Sequence, residues 1–383
     1  MAGIYIHIPF CRSRCIYCGF YSTTSLELRQ RYVDALCREM EIRSQRSEVR
    51  GENIETIYLG GGTPSQLTFD QLRQLFIYIN KVYPLPSKPG GAEDWPEITI
   101  EVNPDDVTVE FAAVLQQLPV NRVSMGIQTF DDQRLRFLRR RHTARQAIEA
   151  VSILRAAGIR NISIDLMYGF PGESLADWEA DISAALVLNV EHLSAYCLMI
   201  EEGTPLHRML KQHTGDEETE RQMYEVLIDR LTTADYEHYE ISNFARPGFR
   251  SRHNSSYWNG TPYIGLGAAA HSYDIRSRSW NVADIRQYIE GMERGEHIFE
   301  EELLDDDTRY NDIVTVALRT REGIDLNALS EKYRNYCIKN ARRYLDDGLL
   351  ELTSPLSPVT SHLRLTRRGL FVSDMVMSNL MMV

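Results

Sequence analysis

Short runs in which apolar and polar residues alternate recur through the first two-thirds of the chain, separated by longer stretches with apolar residues every third or fourth position. The alternating runs at 4–8, 54–59, 98–102, 122–128, 162–167 and 192–198 predict strands, and the stretches 26–42, 69–79, 109–118, 143–157 and 175–188 predict amphipathic helices. Strand and helix in regular alternation predict a parallel sheet with helices outside it. The Pro- and Gly-rich stretch 84–96 predicts a surface insertion.

Side-chain parity chooses between the two architectures such a sheet can adopt. Ile98, Ile100 and Val102 share one face and Thr99 and Glu101 the other; Ile162, Ile164 and Leu166 oppose Ser163 and Asp165. Ser124, Gly126 and Gln128 repeat the pattern, and Ile4, Ile6 and Ile8 oppose Tyr5 and His7. A doubly wound sheet, buried on both faces, reads as continuous apolar runs, so a polar face argues against it. The expected fold class is α/β, a partial (β/α)6 barrel with Tyr5, Glu101, Gln128 and Asp165 around a cavity roomy enough for a large ligand. After residue 198 the alternation fades. Helical patterns at 306–319, 326–333 and 338–347 followed by short apolar runs at 349–352 and 363–365 predict a small C-terminal winged-helix-like α+β domain. The expected divisions are a barrel over 1–235, a connecting segment over 236–300 and the C-terminal domain over 301–383, with the acidic run 300–307 a solvated boundary.

With 383 residues, 43% hydrophobic and 25% charged, the chain has the profile of a globular protein, which excludes disordered, collagenous and disulfide-scaffold classes. Lys and Arg number 42 against 54 Asp and Glu, a net charge of −12 at pH 7 that disfavours broad attraction to nucleic acid. The winged-helix-like domain is therefore expected to pack or to act as a lid, not to bind DNA. No apolar run approaches the roughly 20 residues of a membrane span, and the start of the chain lacks a signal peptide's basic residues. A cytoplasmic protein is expected, with peripheral membrane association through a partner compatible with it.

Three of the six cysteines fall within eight residues as Cys11-x3-Cys15-x2-Cys18, directly after the first predicted strand. Cys37 and Cys337 sit at helical spacing among apolar residues and read as core. Zinc would require a fourth ligand near the triplet, and no Cys or His follows Cys18 before Cys37. An iron–sulfur cube held by three cysteines leaves one iron open to a small molecule. The turn Gly60-Gly61-Gly62-Thr63-Pro64 ends the second predicted strand, the end at which β/α barrels bind ligands. Glycines there let backbone groups approach a polar ligand, or merely make a tight turn.

The cysteine triplet with Tyr17 before its last member, the Gly60–Pro64 turn, Glu101-Val102-Asn103-Pro104 and Asp165-Leu166-Met167-Tyr168-Gly169-Phe170-Pro171-Gly172 together resemble the radical S-adenosylmethionine (SAM) superfamily. Within it the chain is similar to the branch that contains oxygen-independent coproporphyrinogen dehydrogenase (HemN) and the haem chaperone HemW, over essentially its whole length. The resemblance implies a [4Fe–4S] cluster on Cys11, Cys15 and Cys18, with the methionyl amino and carboxylate groups of SAM on the free iron. It implies that Tyr5, Gly61 and Glu101 help to hold SAM, Glu101 by a charge-assisted contact. Gly62, Thr63, Gln128, Arg140 and Asp165 match further nucleoside or carboxylate contacts, as do Tyr17 and Cys197. Without the resemblance, Arg140 in Arg139-Arg140-Arg141-His142 would read as a solvated basic patch.

Two departures favour the chaperone over the dehydrogenase. The dehydrogenase carries another cysteine two residues past its triplet, where this chain has Phe20, and an N-terminal extension, where only ten residues precede Cys11. The chaperone branch carries His-Asn-x-x-Tyr-Trp, present as His253-Asn254-Ser255-Ser256-Tyr257-Trp258. His253 beside two aromatics supplies an imidazole for iron and apolar surface for the macrocycle; His271 and His7 are rival ligands. No Cys-x-x-Cys-His occurs, so covalent c-type attachment is not expected. The implied function is to hold haem and pass it to respiratory haem-accepting apoproteins, with an electron donor that the residues do not identify. The competing expectation is an enzyme that oxidatively decarboxylates coproporphyrinogen III.

Overall fold

The computed structural model describes residues 2–44, 54–85, 95–210, 216–353 and 361–383. Strands β1 (Ala2–Ile8), β2 (Ile54–Gly61), β3 (Glu97–Val102), β4 (Arg122–Gln128), β5 (Asn161–Tyr168) and β6 (His192–Cys197) pair in chain order, every pair parallel. An order without reversal has a physical consequence: each right-handed crossover returns on the same side, so all the connecting helices cover one face. Ile6, Leu59, Ile100, Met125 and Ile164 are fully buried beneath the helices Arg29–Ser44, Phe69–Val82, Val109–Gln116, Ala144–Ala156 and Leu175–Leu188. The opposite face carries Thr99, Glu101, Ser124, Ser163, Asp165 and Ser194, so the parity that argued for a barrel wall holds. Three of the helices start on reciprocal caps, Thr68 with Gln71, Thr143 with Gln146 and Ser174 with Asp177, each satisfying two otherwise orphaned N–H groups.

Residues 237–303 extend this sheet, which the fading alternation did not predict. β7 (Glu237–Glu240) and β8 (Asn243–Ala245) add antiparallel beyond β6, while β9 (Tyr263–Leu266) runs parallel to β1 and leads through β10 (His271–Tyr273) and β11 (Ser277–Asn281) to β12 (Phe299–Leu303). Among the described residues the twelve strands run β12-β11-β10-β9-β1-β2-β3-β4-β5-β6-β8-β7, with β12 and β7 at the ends of the order, a partial barrel. Each added strand has three to five residues, too few for a period of two to register. β12 is exposed throughout, and Glu300, Glu301 and Glu302 on it keep an unpaired edge from recruiting another strand. Asp305, within the same acidic run, caps the helix Asp306–Ala317 through Thr308 N at 2.7 Å.

One buried carboxylate ties the extension to the barrel. Glu39, fully enclosed on the helix Arg29–Ser44, accepts from Gly267 N (2.8 Å), Tyr288 Oη (2.6 Å) and Asn281 Nδ2 (2.8 Å), with Arg43 at 3.6 Å and His297 at 3.4 Å. Burial alone would push this carboxyl up; His297, Arg43 and Tyr288 together hold it below the usual carboxylate range. Glu39→Ala removes the acceptor at the centre of this network, and by the cost of breaking a buried ion pair it should destabilise the fold by about 3–5 kcal/mol. Thermal melting checks this; a loss under about 1 kcal/mol would show that the network is dispensable.

A second core of Tyr310, Val314, Ile324, Cys337, Leu363 and Val376 lies beyond the acidic run. Its strands β13 (Ile324–Asp325), β14 (Leu350–Thr353) and β15 (His362–Leu365) form a three-stranded antiparallel sheet, order β13-β15-β14, with the helices Asp306–Ala317 and Glu331–Asp346 packed on it, a winged-helix-like order of elements. It docks on the β7 edge through Ile241 N to Arg319 O and Arg321 N to Tyr239 O, both 3.0 Å. Phe371 meets Tyr224 edge-on at 5.5 Å. Cys37 and Cys337 are both core residues, as expected. The predicted insertion 84–96 falls largely outside the described residues. Among the described residues no helix is long and apolar enough to cross a membrane.

Candidate cluster and cofactor cavity

The carboxyl ends of the parallel strands open onto a cavity of about 420 Å³. Cys11, Cys15 and Cys18 line its mouth on the loop after β1, all three as free, half-buried thiols. The loop turns back on itself through Cys11 N to Thr23 O at 2.9 Å, which keeps the three sulfurs at one side of the opening. Cys11 Sγ lies 3.5 Å from Thr63 Oγ1, and Arg140 Nη1 points at Cys15 Sγ from 3.6 Å. Burial pushes the Cys11 and Cys18 thiols up, so without metal they keep their protons, which iron binding displaces. Among the described residues no three ligating side chains stand close enough to share a single metal ion. That distinction matters, because the thiolates of a cube bind separate irons. Three part-exposed sulfurs facing one cavity fit such a cluster in number, type and access.

The three glycines at the end of β2 serve the chain itself first. A Cβ on Gly61, whose φ is +103°, would lie 2.3 Å from the His7 ring, and one on Gly62 would lie 2.7 Å from Ile8 O. Close approach of the first strand thus requires both. Gly61 N donates to Glu101 Oε2 at 2.9 Å, and Tyr58 Oη donates to Glu101 Oε1 at 2.7 Å. Burial pushes the Glu101 carboxyl up to about 7, against the pull of the Tyr58 hydrogen bond and with the Asp165 charge adding to the rise. Burial likewise pushes Asp165 up to about 6, although Ser194 and Ser124 hydrogen-bond it and Arg122 and Arg140 face it. Two carboxyls raised by burial in one cavity are the pattern that makes it the candidate site.

Local backbone strain aims two further side chains. Gln128 sits at φ +74° beside a register shift between β4 and β5, and this bulge turns its amide into the cavity. Arg139 takes φ +58°, and Arg140 then points inward, donating to Asn103 Oδ1 and Gly126 O at 2.6 Å each. The solvated-patch alternative for Arg140 is therefore wrong: a left-handed turn separates it from its exposed neighbours. Tyr17, Gly62, Thr63 and Cys197 also line the cavity, and burial pushes the Cys197 thiol up to about 12.

Tyr5 and His253 depart from the expected set. Tyr5 does not line the cavity; its hydroxyl meets His7 Nδ1 at 3.0 Å and its ring stacks on Tyr58 at 6.2 Å, so it supports Tyr58 from behind. His253 is 1% exposed with both nitrogens engaged, Nδ1 with Thr56 Oγ1 at 2.8 Å and Nε2 with Tyr257 Oη at 2.9 Å. Burial pushes its ring down to about 3. Of its rivals, His7 is buried and bonded to Tyr21 O at 2.9 Å, whereas His271 is exposed and stacks on Trp280. Tyr58, Arg122, Ser194 and Tyr196 line the cavity although nothing in the motifs marked them, and Asn103 does so within the Glu101–Pro104 motif, which gave it no role. Tyr58, Arg122 and Tyr196 share the inward parity of their strands, which was the available signal.

A second, larger cavity of about 720 Å³ lies between the helix Arg252–Trp258, β9 and the C-terminal domain. Tyr239, Tyr257, Trp258, Tyr263, Val316 and Leu329 give it an aromatic and apolar wall, and Arg250 and Arg278 stand at its edge in ion pairs with Glu237 and Asp312. Arg319 lies 5.4 Å over the Trp258 ring.

Residues 5–185 match the family model of the radical SAM superfamily. The chain is 35% identical to the heme chaperone HemW of Bacillus subtilis over 87% of both chains, and 33% identical to the heme chaperone HemW of Mycobacterium tuberculosis over 99% of this chain and 94% of that one. The coproporphyrinogen III oxidase HemN of Escherichia coli, 22% identical, superposes with a TM-score of 0.83 over 99% of this chain and 89% of its own, which shows a shared fold. Identity of this extent over nearly the full length, joined to a cysteine-lined barrel cavity, places the chain in the HemW family of heme chaperones within the radical SAM superfamily.

Proposed function

We propose that the protein binds haem and hands it to haem-accepting apoproteins, respiratory ones among them, while holding a [4Fe–4S] cluster on Cys11, Cys15 and Cys18 and SAM in the barrel cavity. The observation that carries this reading is the pairing of two cavities: a polar one with three cysteines, and an aromatic cleft beside the His253–Trp258 motif. A flat apolar macrocycle with acidic edges suits the cleft, where Tyr257 and Trp258 offer ring surface and Arg250 and Arg278 offer exchangeable partners for carboxylates. His253 becomes an iron ligand only by giving up its bond to Tyr257, so haem entry is read as coupled to a shift of the helix Arg252–Trp258. In the barrel, Glu101 and Gly61 would receive the methionyl amino end of SAM, and Gln128, Arg140, Asp165, Gly62, Thr63, Tyr17 and Cys197 its remaining polar groups, with Tyr5 supporting Tyr58. When bound, the cluster supplies the electron that SAM chemistry needs; its donor is a separate protein. The domain roles follow: 1–235 for cluster and SAM, 236–300 for the haem motif, 301–383 as the far wall of the cleft. A cytoplasmic location with peripheral membrane contact suits delivery to respiratory acceptors.

Anaerobically reconstituted protein given reductant, SAM and coproporphyrinogen III should form no protoporphyrinogen, while haem titration should give saturable binding that His253→Ala weakens by about tenfold or more. Protoporphyrinogen formation would favour the decarboxylase reading. Unchanged affinity and spectrum in His253→Ala would remove this ligand.

A further inference from the structure

Arg122 opens β4 on the inward parity and lines the barrel cavity, yet it is 1% exposed and its guanidinium forms no ion pair with a carboxylate among the described residues. Its Nε is buried without a partner. Burying a guanidinium without a counter-ion costs several kcal/mol, and the fold keeps this one where a molecule in the cavity could reach it. The carboxylates of Glu101 and Asp165 feel its charge but stand beyond ion-pair distance. We propose that Arg122 is the receptor of a carboxylate-bearing ligand bound at the floor of the barrel, distinct from the SAM and haem positions above.

Depth argues for a separate subsite. Register pairs Arg122 with Thr99, Thr99 with Tyr58 and Tyr58 with Tyr5, so Arg122 starts three strand residues below the level of Ile8 and Gly61, from which the cysteine loop rises. Three residues of strand are about 10 Å. A carboxylate chelated at the cysteine loop therefore does not also serve Arg122. Ser124, level with Glu101, and Ser194 and Tyr196, higher still, line the cavity above Arg122, and the two serine hydroxyls serve Asp165. A planar fork of donors at the closed end of a cavity selects a carboxylate over a spherical anion such as chloride. Its source is either a small organic acid or the propionate of a tetrapyrrole. This inference stands whether or not the protein carries haem.

The test is the melting temperature of the full chain, wild type and Arg122→Met, in chloride, acetate, succinate or coproporphyrin III at matched ionic strength. Wild type should melt higher with a carboxylate than with chloride, and the variant should lose that response, with carboxylate affinity weaker by at least about tenfold. Arg122→Met without ligand should melt at or above wild type, since an apolar chain replaces an uncompensated charge. A response to acetate and succinate identifies small acids; a response to coproporphyrin III alone identifies the tetrapyrrole. Equal carboxylate responses in the two proteins would overturn the proposal. So would a variant melting well below a wild type that carboxylates do not stabilise, because that pair of results makes Arg122 a structural residue. Arg122→Gln repeats the comparison with a polar side chain of similar reach.

Discussion

Serine at any one of positions 11, 15 or 18 should abolish the iron–sulfur cluster while leaving the fold intact. The three thiols lie on one loop, whereas Cys197, the other cysteine lining the cavity, lies on β6 with its thiol pushed up to about 12 by burial, so each loss removes a third of the loop's grip on the cube. A hydroxyl is a poor substitute for a thiolate on iron. The sulfurs themselves contribute little to packing, being half exposed, with Thr63 3.5 Å from Cys11 and Arg140 3.6 Å from Cys15. Anaerobic reconstitution should therefore give about four iron per wild-type chain and close to none for Cys11→Ser, Cys15→Ser and Cys18→Ser. Their stability without metal should stay within about 1 kcal/mol of wild type. A serine variant that retains the full iron content would disprove this ligand set.

Glu101→Gln should weaken SAM binding by about tenfold to a hundredfold, the equivalent of one lost charge-assisted hydrogen bond. Tyr58 and Gly61 orient the carboxylate from two sides, and with burial holding its pKa at about 7 it changes charge within the working range. Raising the pH from 6 to 8 ionises Glu101, so wild-type affinity for the amino group should rise across that interval. The glutamine variant should show a flatter profile, its residual slope coming from Asp165 at about 6. The same shift bears on stability with the opposite sign. A carboxyl held above its unfolded value favours the folded state below the unfolded pKa and loses that contribution as pH rises through about 7. Glu101→Gln is thus expected to melt higher than wild type at pH 8 when SAM is absent. Calorimetric titration at both pH values checks the affinity, and an unchanged, equally pH-dependent affinity would rule out the contact.

The barrel was legible because its strands are six to eight residues long and carry opposed faces, so that Ile98, Ile100 and Val102 announced the helix side and Thr99 and Glu101 the cavity. β9 through β12 were not, because strands of three to five residues show no period and the three consecutive glutamates of β12 break any alternation. The spacing of Cys11, Cys15 and Cys18 singled them out, and the fold brings all three to one cavity. Arg140 could not, since what brings it inward is the left-handed turn at Arg139, a conformation that an arginine in a basic run does not advertise. His253 shows the converse. Its motif drew attention to an iron ligand, whereas the fold uses both ring nitrogens to join Thr56 on β2 to Tyr257 one helical turn away. The aromatic cleft was invisible for a third reason: its walls come from residues 239–278 and 312–329, which only docking of the C-terminal domain brings together.

Delivery of haem is the claim on which the rest depends, and mixing haem-loaded protein with the apo form of a b-type haem protein tests it most directly. Stopped-flow absorbance should show the acceptor's Soret band growing at a rate that increases with acceptor concentration and exceeds the rate of spontaneous haem loss, as direct hand-over requires. A transfer rate equal to spontaneous loss and independent of the acceptor would contradict it.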